Sequence, residues 1–161
     1  DAMAAGQEYT IRFGGHHAAA GLTIAPDQIP AFHQAFEQSI RSQKGAPPFI
    51  ATLKPDLEVN PELLNLDMVD ELETLSPFGQ TNPEPLFLVQ RVAIRSKRVV
   101  GKTHLKLTLG KQAHDAIAFG FAEHLNAIGN HVDAIFKIER NSFRGKESLQ
   151  LKIEDLRPCK N

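Results

Sequence analysis

One glycine-rich run, residues 14–21, contains residue types that could bind an anion. Glycines let a backbone approach an anion closely, and the N–H groups that begin a helix point toward it. His16 could donate a hydrogen bond to a phosphate oxygen or transfer a proton. The alternative is that Gly14 and Gly15 form a turn and that Ala18 to Ala20 allow close packing, which the spacing alone slightly favours.

Other catalytic chemistries find no support in the sequence. No phosphate-binding loop, dinucleotide fingerprint or nucleophile elbow occurs. The one cysteine, Cys159, excludes an internal disulfide and a cysteine-based zinc cluster. His16 and His17 are neighbours and cannot both reach one metal from a regular helix, and no paired carboxylates accompany them. We therefore predict no metal site in this chain.

The charge of the chain is strongly divided between its two halves. Residues 1–85 contain four Lys/Arg and twelve Asp/Glu, a net charge of −8, whereas residues 86–161 contain fourteen and seven, a net charge of +7. Such a division indicates that the second half meets a polyanion, with chance segregation of solvated charge as the alternative.

Several basic residues of the second half fall on the polar side of predicted strands or in the loops between them. A cation attracts backbone phosphates, and an exposed ring such as Phe143 offers a base a stacking surface. The alternative is a solvated hairpin with Phe143 folded onto the rim of a barrel. The predicted nucleic-acid contacts are Arg95, Lys97, Arg98, Lys102, His104, Lys106, Lys137, Arg140, Phe143, Arg144, Lys146 and Lys152.

The first 85 residues predict a mixed arrangement of strands and helices. A strand near residues 8–13 leads into the glycine run, read as a tight turn and a short helix over Ala18–Ala20. Apolar residues at Ile29, Phe32, Phe36 and Ile40 predict an amphipathic helix that ends near residue 45. Residues 46–85 then form a linker with an acidic helix and a proline-rich loop.

From residue 86 the apolar pattern alternates with a period of two, which is typical of half-buried strands. Five strands are predicted, the third with Ile117, Phe119 and Phe121 on its apolar side. A short helix over residues 122–128 separates the third strand from the fourth. This order indicates an OB-fold barrel, an architecture that commonly binds single-stranded nucleic acid.

Four stretches resemble, in the same order, the RecJ exonucleases of the DHH phosphoesterase superfamily. They are RFGGHHAAAG at 12–21, PFGQ at 77–80 with PEPLF at 83–87, Gly101 with HLK at 104–106, and FRG at 143–145 with LQL at 149–151. The resemblance implies an α+β chain with three parts. A partial DHH-associated α/β subdomain (1–45) and a linker (46–85) precede a five-stranded OB-fold β-barrel (86–161).

The resemblance also implies a function, a 5′→3′ exonuclease for single-stranded DNA in DNA repair and recombination. Arg12, Gly14, Gly15 and His16 would contact substrate phosphate, with His16 as the catalytic contact. Mn²⁺ or Mg²⁺ would be held by an N-terminal domain with an Asp-His-His signature. That signature does not occur here, so the chain is expected to be an inactive fragment without a bound cofactor.

The same resemblance implies single-stranded DNA as ligand and single-strand-binding protein as a further partner. No apolar stretch approaches the ~18 residues of a membrane span, and the sequence shows no export signal. The single free thiol fits a reducing compartment, so we expect a cytoplasmic protein. Two alternatives stay open, a standalone OB-type nucleic-acid-binding module and a protein-docking domain. The glycine-histidine run argues against the first, because a pure OB binder has no use for residues 8–45.

Overall fold

The computed structural model describes residues 2–16, 19–45, 48 and 50–159. The chain divides into two compact units, residues 1–51 and 52–161. The three-part division expected from the sequence stays a prediction. Within the described ranges, no helix is both long and apolar enough to span a membrane.

The first unit is a hairpin followed by one long helix. A 3₁₀ turn at Ala4–Tyr9 leads into β1 (Thr10–His16), which pairs antiparallel with β2 (Ala19–Ile24). A second 3₁₀ turn, Pro26–Gln28, precedes α1 (Ile29–Lys44), which ends at a glycine as predicted. Among the described residues of this unit only Gly6 is buried, so the unit has no hydrophobic core of its own.

The short helix predicted within the glycine run is wrong. β2 already begins at Ala19, and Gly14 pairs with Gly21 while Gly15 pairs with Ala20. His17 and Ala18 lie outside the described residues. The physical reason is length, because three alanines cannot offset the cost of nucleating a helix, whereas a ladder of strand pairs forms at once between the flanking residues.

The second unit begins with short elements that lead into a barrel. β3 (Leu57–Glu58) is followed by a 3₁₀ turn at Pro61–Leu63 and by α2 (Leu66–Glu73), whose first turn is capped by Asn65. The proline-rich segment that follows is an ordered loop, as predicted. The side chain of Asn82 holds it by donating to the carbonyl oxygens of Leu75 and Pro77.

Five strands close into the predicted OB barrel. They are β4 (Phe87–Val100), β5 (His104–Leu109), β6 (His114–Ala118), β7 (His131–Phe143) and β8 (Lys146–Pro158). The order around the ring is β4-β5-β6-β8-β7, and β7 pairs back onto β4. The helix predicted between the third and fourth strands is a 3₁₀ turn at Ala122–Asn126.

The strand β4 closes the ring because it pairs with two other strands of the barrel, β5 and β7, besides the short β3. Its first half, Phe87–Ala93, pairs with β7, and its second half, Ile94–Val100, pairs with β5. Irregular register between Val89 and Val92 and again between Ile94 and Ser96 bends the strand, as bulges do. The barrel interior is filled by alternating side chains, of which Leu105, Leu107 and Phe136 are completely buried.

Candidate nucleic-acid interface

A transverse row of side chains crosses the outer face of the barrel. Antiparallel register places Arg98 opposite Lys106, and Lys106 opposite Ile117. Ile117 lies beside Lys152, and Lys152 lies opposite Lys137. We call these five residues the cationic row. Residues that face each other across neighbouring strands share one side of a sheet, so four cations from β4, β5, β8 and β7 form one surface.

Two cations of the row already have carboxylate partners. The ammonium nitrogen of Lys106 lies 3.0 Å from Asp115, and that of Lys137 lies 2.9 Å from Glu84 in the proline-rich loop. The hydrogen bond to Glu84 raises the pKa of Lys137 above its ordinary value. A phosphate at either position would therefore have to compete with a carboxylate.

The other two cations of the row, Arg98 and Lys152, make no side-chain hydrogen bond or ion pair with any part of the chain that the structure describes. Lys152 stands between Ile117 and Lys137 on the same face. Arg98 on β4 and Lys152 on β8 flank the β5–β6 pair. Because neither is neutralised by a described carboxylate, these two cations give the row its capacity to bind an added anion.

An exposed aromatic ring lies beside the middle of the row, two residues after Ile117. Phe119 follows directly on β6, and its ring is 53 % exposed. It meets the His104 ring edge-to-face, with the centroids 5.0 Å apart. The backbone N–H of Gly120 donates to Nδ1 of His104 at 3.2 Å, which leaves Nε2 as the donor of this ring. The turn residue Lys102 precedes His104 by two positions.

Phe119 is a residue that the sequence analysis missed. The alternation had placed Ile117, Phe119 and Phe121 on the buried side of the strand. In the structure Ala116 and Ala118 are completely buried opposite Leu107 and Leu105, whereas Ile117 lies on the other side of the strand, opposite Lys106, with 8 % of its surface exposed. The small size of the two alanines is the sequence signal that could have indicated which side of β6 is buried, because small side chains suit a tight interior beside the leucines of β5.

A second exposed ring lies at the tip of the β7–β8 hairpin. Phe143 is 65 % exposed, so it is not folded onto the barrel. The guanidinium of Arg144 lies 5.2 Å from the centre of this ring, and Lys146 faces Phe143 across the hairpin. This placement agrees with the predicted combination of an aromatic ring and cations, although DNA contact at these three residues stays a prediction.

Three further predicted DNA contacts have partners within the chain, and DNA contact at these residues stays a prediction. Arg140 binds Asp70 and Glu73 of α2 and also Glu147 of β8, and the hydrogen bond to Asp70 is the main cause of its raised pKa. Lys97 donates to the carbonyl oxygens of Leu125 and Ile128 at 3.0 and 2.6 Å. Arg95 donates to the carbonyl oxygen of Gly110 at 2.7 Å. These contacts fasten α2, the 3₁₀ turn and the β5–β6 turn to the barrel.

The predicted phosphate contacts of the first unit lie along one hairpin. Gly14 and Gly21 face each other between β1 and β2, and an added Cβ on either would meet nothing within 4 Å. An open depression of about 390 Å³ lies here, lined by Arg12, Phe13, Gly14, Gly21, Leu22 and Thr23. Bare backbone beside one guanidinium is an arrangement that can receive an anion.

The two neighbouring glycines of β1 have different physical requirements, which gives a first prediction. A Cβ at Gly15 would lie 2.4 Å from the carbonyl oxygen of Ala19 and 2.5 Å from Cα of Ala20. We expect Gly15→Ala to force the strands apart and to weaken the hairpin by about 1–3 kcal/mol. Hydrogen exchange of the β1 and β2 amides measures this loss. Gly14→Ala is the matched control, and an equal loss in both variants would contradict the explanation.

The described residues offer no metal centre. Across residues 2–16, 19–45, 48 and 50–159, no group of three or more His, Cys, Asp or Glu side chains is placed to hold an ion. His16, at the end of β1, pairs in register with Ala19.

Comparison with known proteins places these features in a family context. A family model described as the RecJ OB domain matches residues 55–155. The single-stranded-DNA-specific exonuclease RecJ of Dickeya dadantii is 34 % identical over 154 residues, which is 92 % of this chain and 27 % of that protein. The protein of the same name from Bacillus subtilis is 28 % identical over 149 residues, which is 89 % of this chain and 19 % of that protein.

Solved structures are similar over almost the whole chain. The crystal structure of RecJ from Thermus thermophilus in complex with Mn²⁺ has a TM-score of 0.78 at 27 % identity, covering 99 % of this chain and 24 % of that one. The complex with Mg²⁺ has a TM-score of 0.77. The chain thus spans about a quarter of the length of the relatives it matches.

Proposed function

This chain belongs to the RecJ family of single-stranded-DNA-specific exonucleases, and on that premise we propose that it forms the C-terminal, DNA-binding part of such an enzyme. The barrel holds single-stranded DNA on its outer face. The β1–β2 hairpin holds a substrate phosphate beside Arg12, Gly14, Gly15 and His16, with His16 as the residue nearest the reaction. The intact enzyme would remove nucleotides in the 5′→3′ direction.

The observation that carries this proposal is the register of the cationic row. Neighbouring strands lie about 4.8 Å apart, so the row from Arg98 to Lys137 runs about 19 Å along the curved surface. A row that crosses the strands lets one extended backbone meet cations from several strands in succession. Bases then reach the exposed rings on either side, where stacking is independent of sequence.

The metal chemistry of the proposed enzyme lies outside these residues. Two-metal hydrolysis needs several carboxylate or imidazole ligands, and the described residues bring no such set together. The described residues do not fit Mn²⁺ or Mg²⁺, and their own contribution is to bind and orient the DNA. The hairpin would present backbone N–H groups and the Arg12 guanidinium to a phosphate.

Binding of an oligo-dT 20-mer to the purified chain tests the proposal. Five cations, namely Arg98, Lys102, Arg144, Lys146 and Lys152, make no ion pair with the described residues. Each phosphate contact with a single strand contributes about −0.7 to the slope of log K against log salt, so we expect a slope of about −3.5. Fluorescence anisotropy should then show roughly hundred-fold weaker binding at 200 mM than at 50 mM salt. An affinity that does not change with salt would exclude this use of the row.

The absence of a metal-ligand set among the described residues gives a further prediction. The 161-residue chain alone is expected to release no nucleotide from a 5′-labelled single strand, with or without Mn²⁺, because it can bind the strand but cannot activate water. Thin-layer separation of the labelled products measures this. Steady release of mononucleotides by the pure chain would contradict the assignment, and a full-length RecJ under the same conditions is the positive control.

The cationic row could also receive the acidic tail of single-strand-binding protein, because both ligands are polyanions. An acidic tail peptide should displace the labelled 20-mer if the two share the row, and it should bind alongside the DNA if they do not. With these partners we propose a role in DNA repair and recombination in the cytoplasm.

A further inference from the structure

A groove separate from the cationic row lies between β3 and α2. It has a volume of about 530 Å³, and its walls come from residues 57–60, from 63–65, and from Asp67, Met68 and Glu71. A volume of this size is within the range of sites that hold ligands. The groove belongs entirely to the second unit.

One wall of the groove is the edge of a strand, where backbone N–H and C=O groups do not pair with β4. The N–H groups of Leu57 and Val59 donate to the carbonyl oxygens of Leu86, directly before β4, and Leu88 in β4, at 3.4 and 2.9 Å. Because alternate residues of a strand direct their backbone groups to opposite sides, those of Glu58 point away from β4. Among the described strands, β3 is the end of the sheet order and pairs with β4 alone.

The groove also exposes apolar side chains that a soluble surface usually covers. Leu57 is 57 % exposed and Leu63 is 71 % exposed, and both line it. Val59 and Met68 lie beside them, partly buried against the core, and Leu64 forms a buried floor. Exposed leucines gathered around one concave surface mark a binding site for an apolar partner more often than scattered ones do.

The charge of the rim determines which partner fits. Glu58, Asp67 and Glu71 line the groove, and no Lys, Arg or His among the described residues does. The Glu58 carboxylate accepts a hydrogen bond from Gln90, which leaves its charge uncompensated. A negative rim repels DNA and attracts cationic side chains. An open strand edge facing a helix is the geometry in which extended peptides add a strand to a sheet.

We propose that this groove binds an extended segment of another protein, in which lysine or arginine alternates with apolar residues. The segment adds to the free edge of β3 through the backbone of Glu58. Its apolar side chains cover Leu57 and Leu63, and its cations lie against Asp67 and Glu71. The site is separate from the cationic row, with which it shares no residue.

The test uses an acetylated Lys-Val-Lys-Val-Lys-Val amide peptide and the isotope-labelled chain. We expect amide shifts confined to residues 57–71 and at least tenfold slower hydrogen exchange at the Glu58 amide. The double variant Asp67→Lys, Glu71→Lys should weaken binding at least tenfold. Glu123→Lys is the matched control, because its exposed carboxylate lies on another part of the barrel, and it should leave binding unchanged.

Two further peptides separate strand addition from general charge attraction. A version with alternate backbone nitrogens methylated keeps the charge but cannot pair with β3, and it should not bind. A version with glutamate in place of lysine should not bind either. Equal binding of either peptide overturns the proposal. So does a Glu58 amide that is already protected without peptide, whether by a second copy of the chain or by other parts of a full-length RecJ.

Discussion

Replacing both Arg98 and Lys152 by glutamine is expected to weaken binding of the oligo-dT 20-mer about hundred-fold. Hydrogen bonds to charged groups are worth about 1.5–3 kcal/mol, so each lost phosphate contact costs about tenfold or more. The two residues lie on β4 and β8, separated by β5 and β6, so their effects should add. Anisotropy titrations at several salt concentrations should also show a slope shallower by about 1.4.

The control for this variant removes the same charge elsewhere. Lys111 and Arg157 are well exposed and pair with Glu62 and Asp155, away from the row. Lys111→Gln with Arg157→Gln should change the affinity by less than about threefold, as expected for exposed ion pairs. If the two double variants lose the same affinity, net charge determines binding, and the assignment of the cationic row as the DNA-binding site is wrong.

Phe119→Ala is expected to weaken binding of the same oligonucleotide about tenfold. Stacking of one base on an aromatic side chain is worth about 1–3 kcal/mol, and the ring is exposed and oriented by His104. An oligonucleotide whose residues lack bases should bind the variant and the parent chain equally, since it can meet only the cations. Parallel anisotropy titrations with the two oligonucleotides measure the difference.

A second variant controls for a loss of binding that would come from misfolding. Leu75 is as exposed as Phe119, at 53 %, but follows α2 and not the cationic row, so Leu75→Ala should leave DNA binding unchanged. If Phe119→Ala weakens binding of the base-free oligonucleotide just as much, the ring supports the local backbone through His104 and does not stack on bases. Circular dichroism of both variants confirms that the barrel is intact.

Much of the fold follows from local pattern. Alternating residues such as Leu105, Leu107 and Leu109 predicted β5 and its buried face correctly, because a period of two directs every second side chain inward. The order of five strands with a short helical turn before the fourth was enough to predict an OB barrel. The amphipathic spacing of Ile29, Phe32, Phe36 and Ile40 likewise predicted α1.

Where local signals conflict, the sequence pattern led to wrong predictions of conformation and of the buried face. The alanines before Gly21 suggested a helix, but pairing with β1 decided the conformation. Around β6 the larger apolar side chains, Ile117 in the strand and Phe119 after it, indicated the buried face, yet the register places Ala116 and Ala118 opposite the core leucines of β5. Both errors arise because pairing with a neighbouring strand, and not the pattern within one segment, decided the conformation.

The sequence by itself determined the family, the barrel and the presence of an excess of positive charge in its second half. Only the tertiary structure decided which of those charges are available to a ligand. Arg140 and Arg98 are chemically identical, but Arg140 is surrounded by three carboxylates and Arg98 by none within the described chain. Composition counts charges, whereas strand register and the path of α2 determine which of them are neutralised by a neighbour.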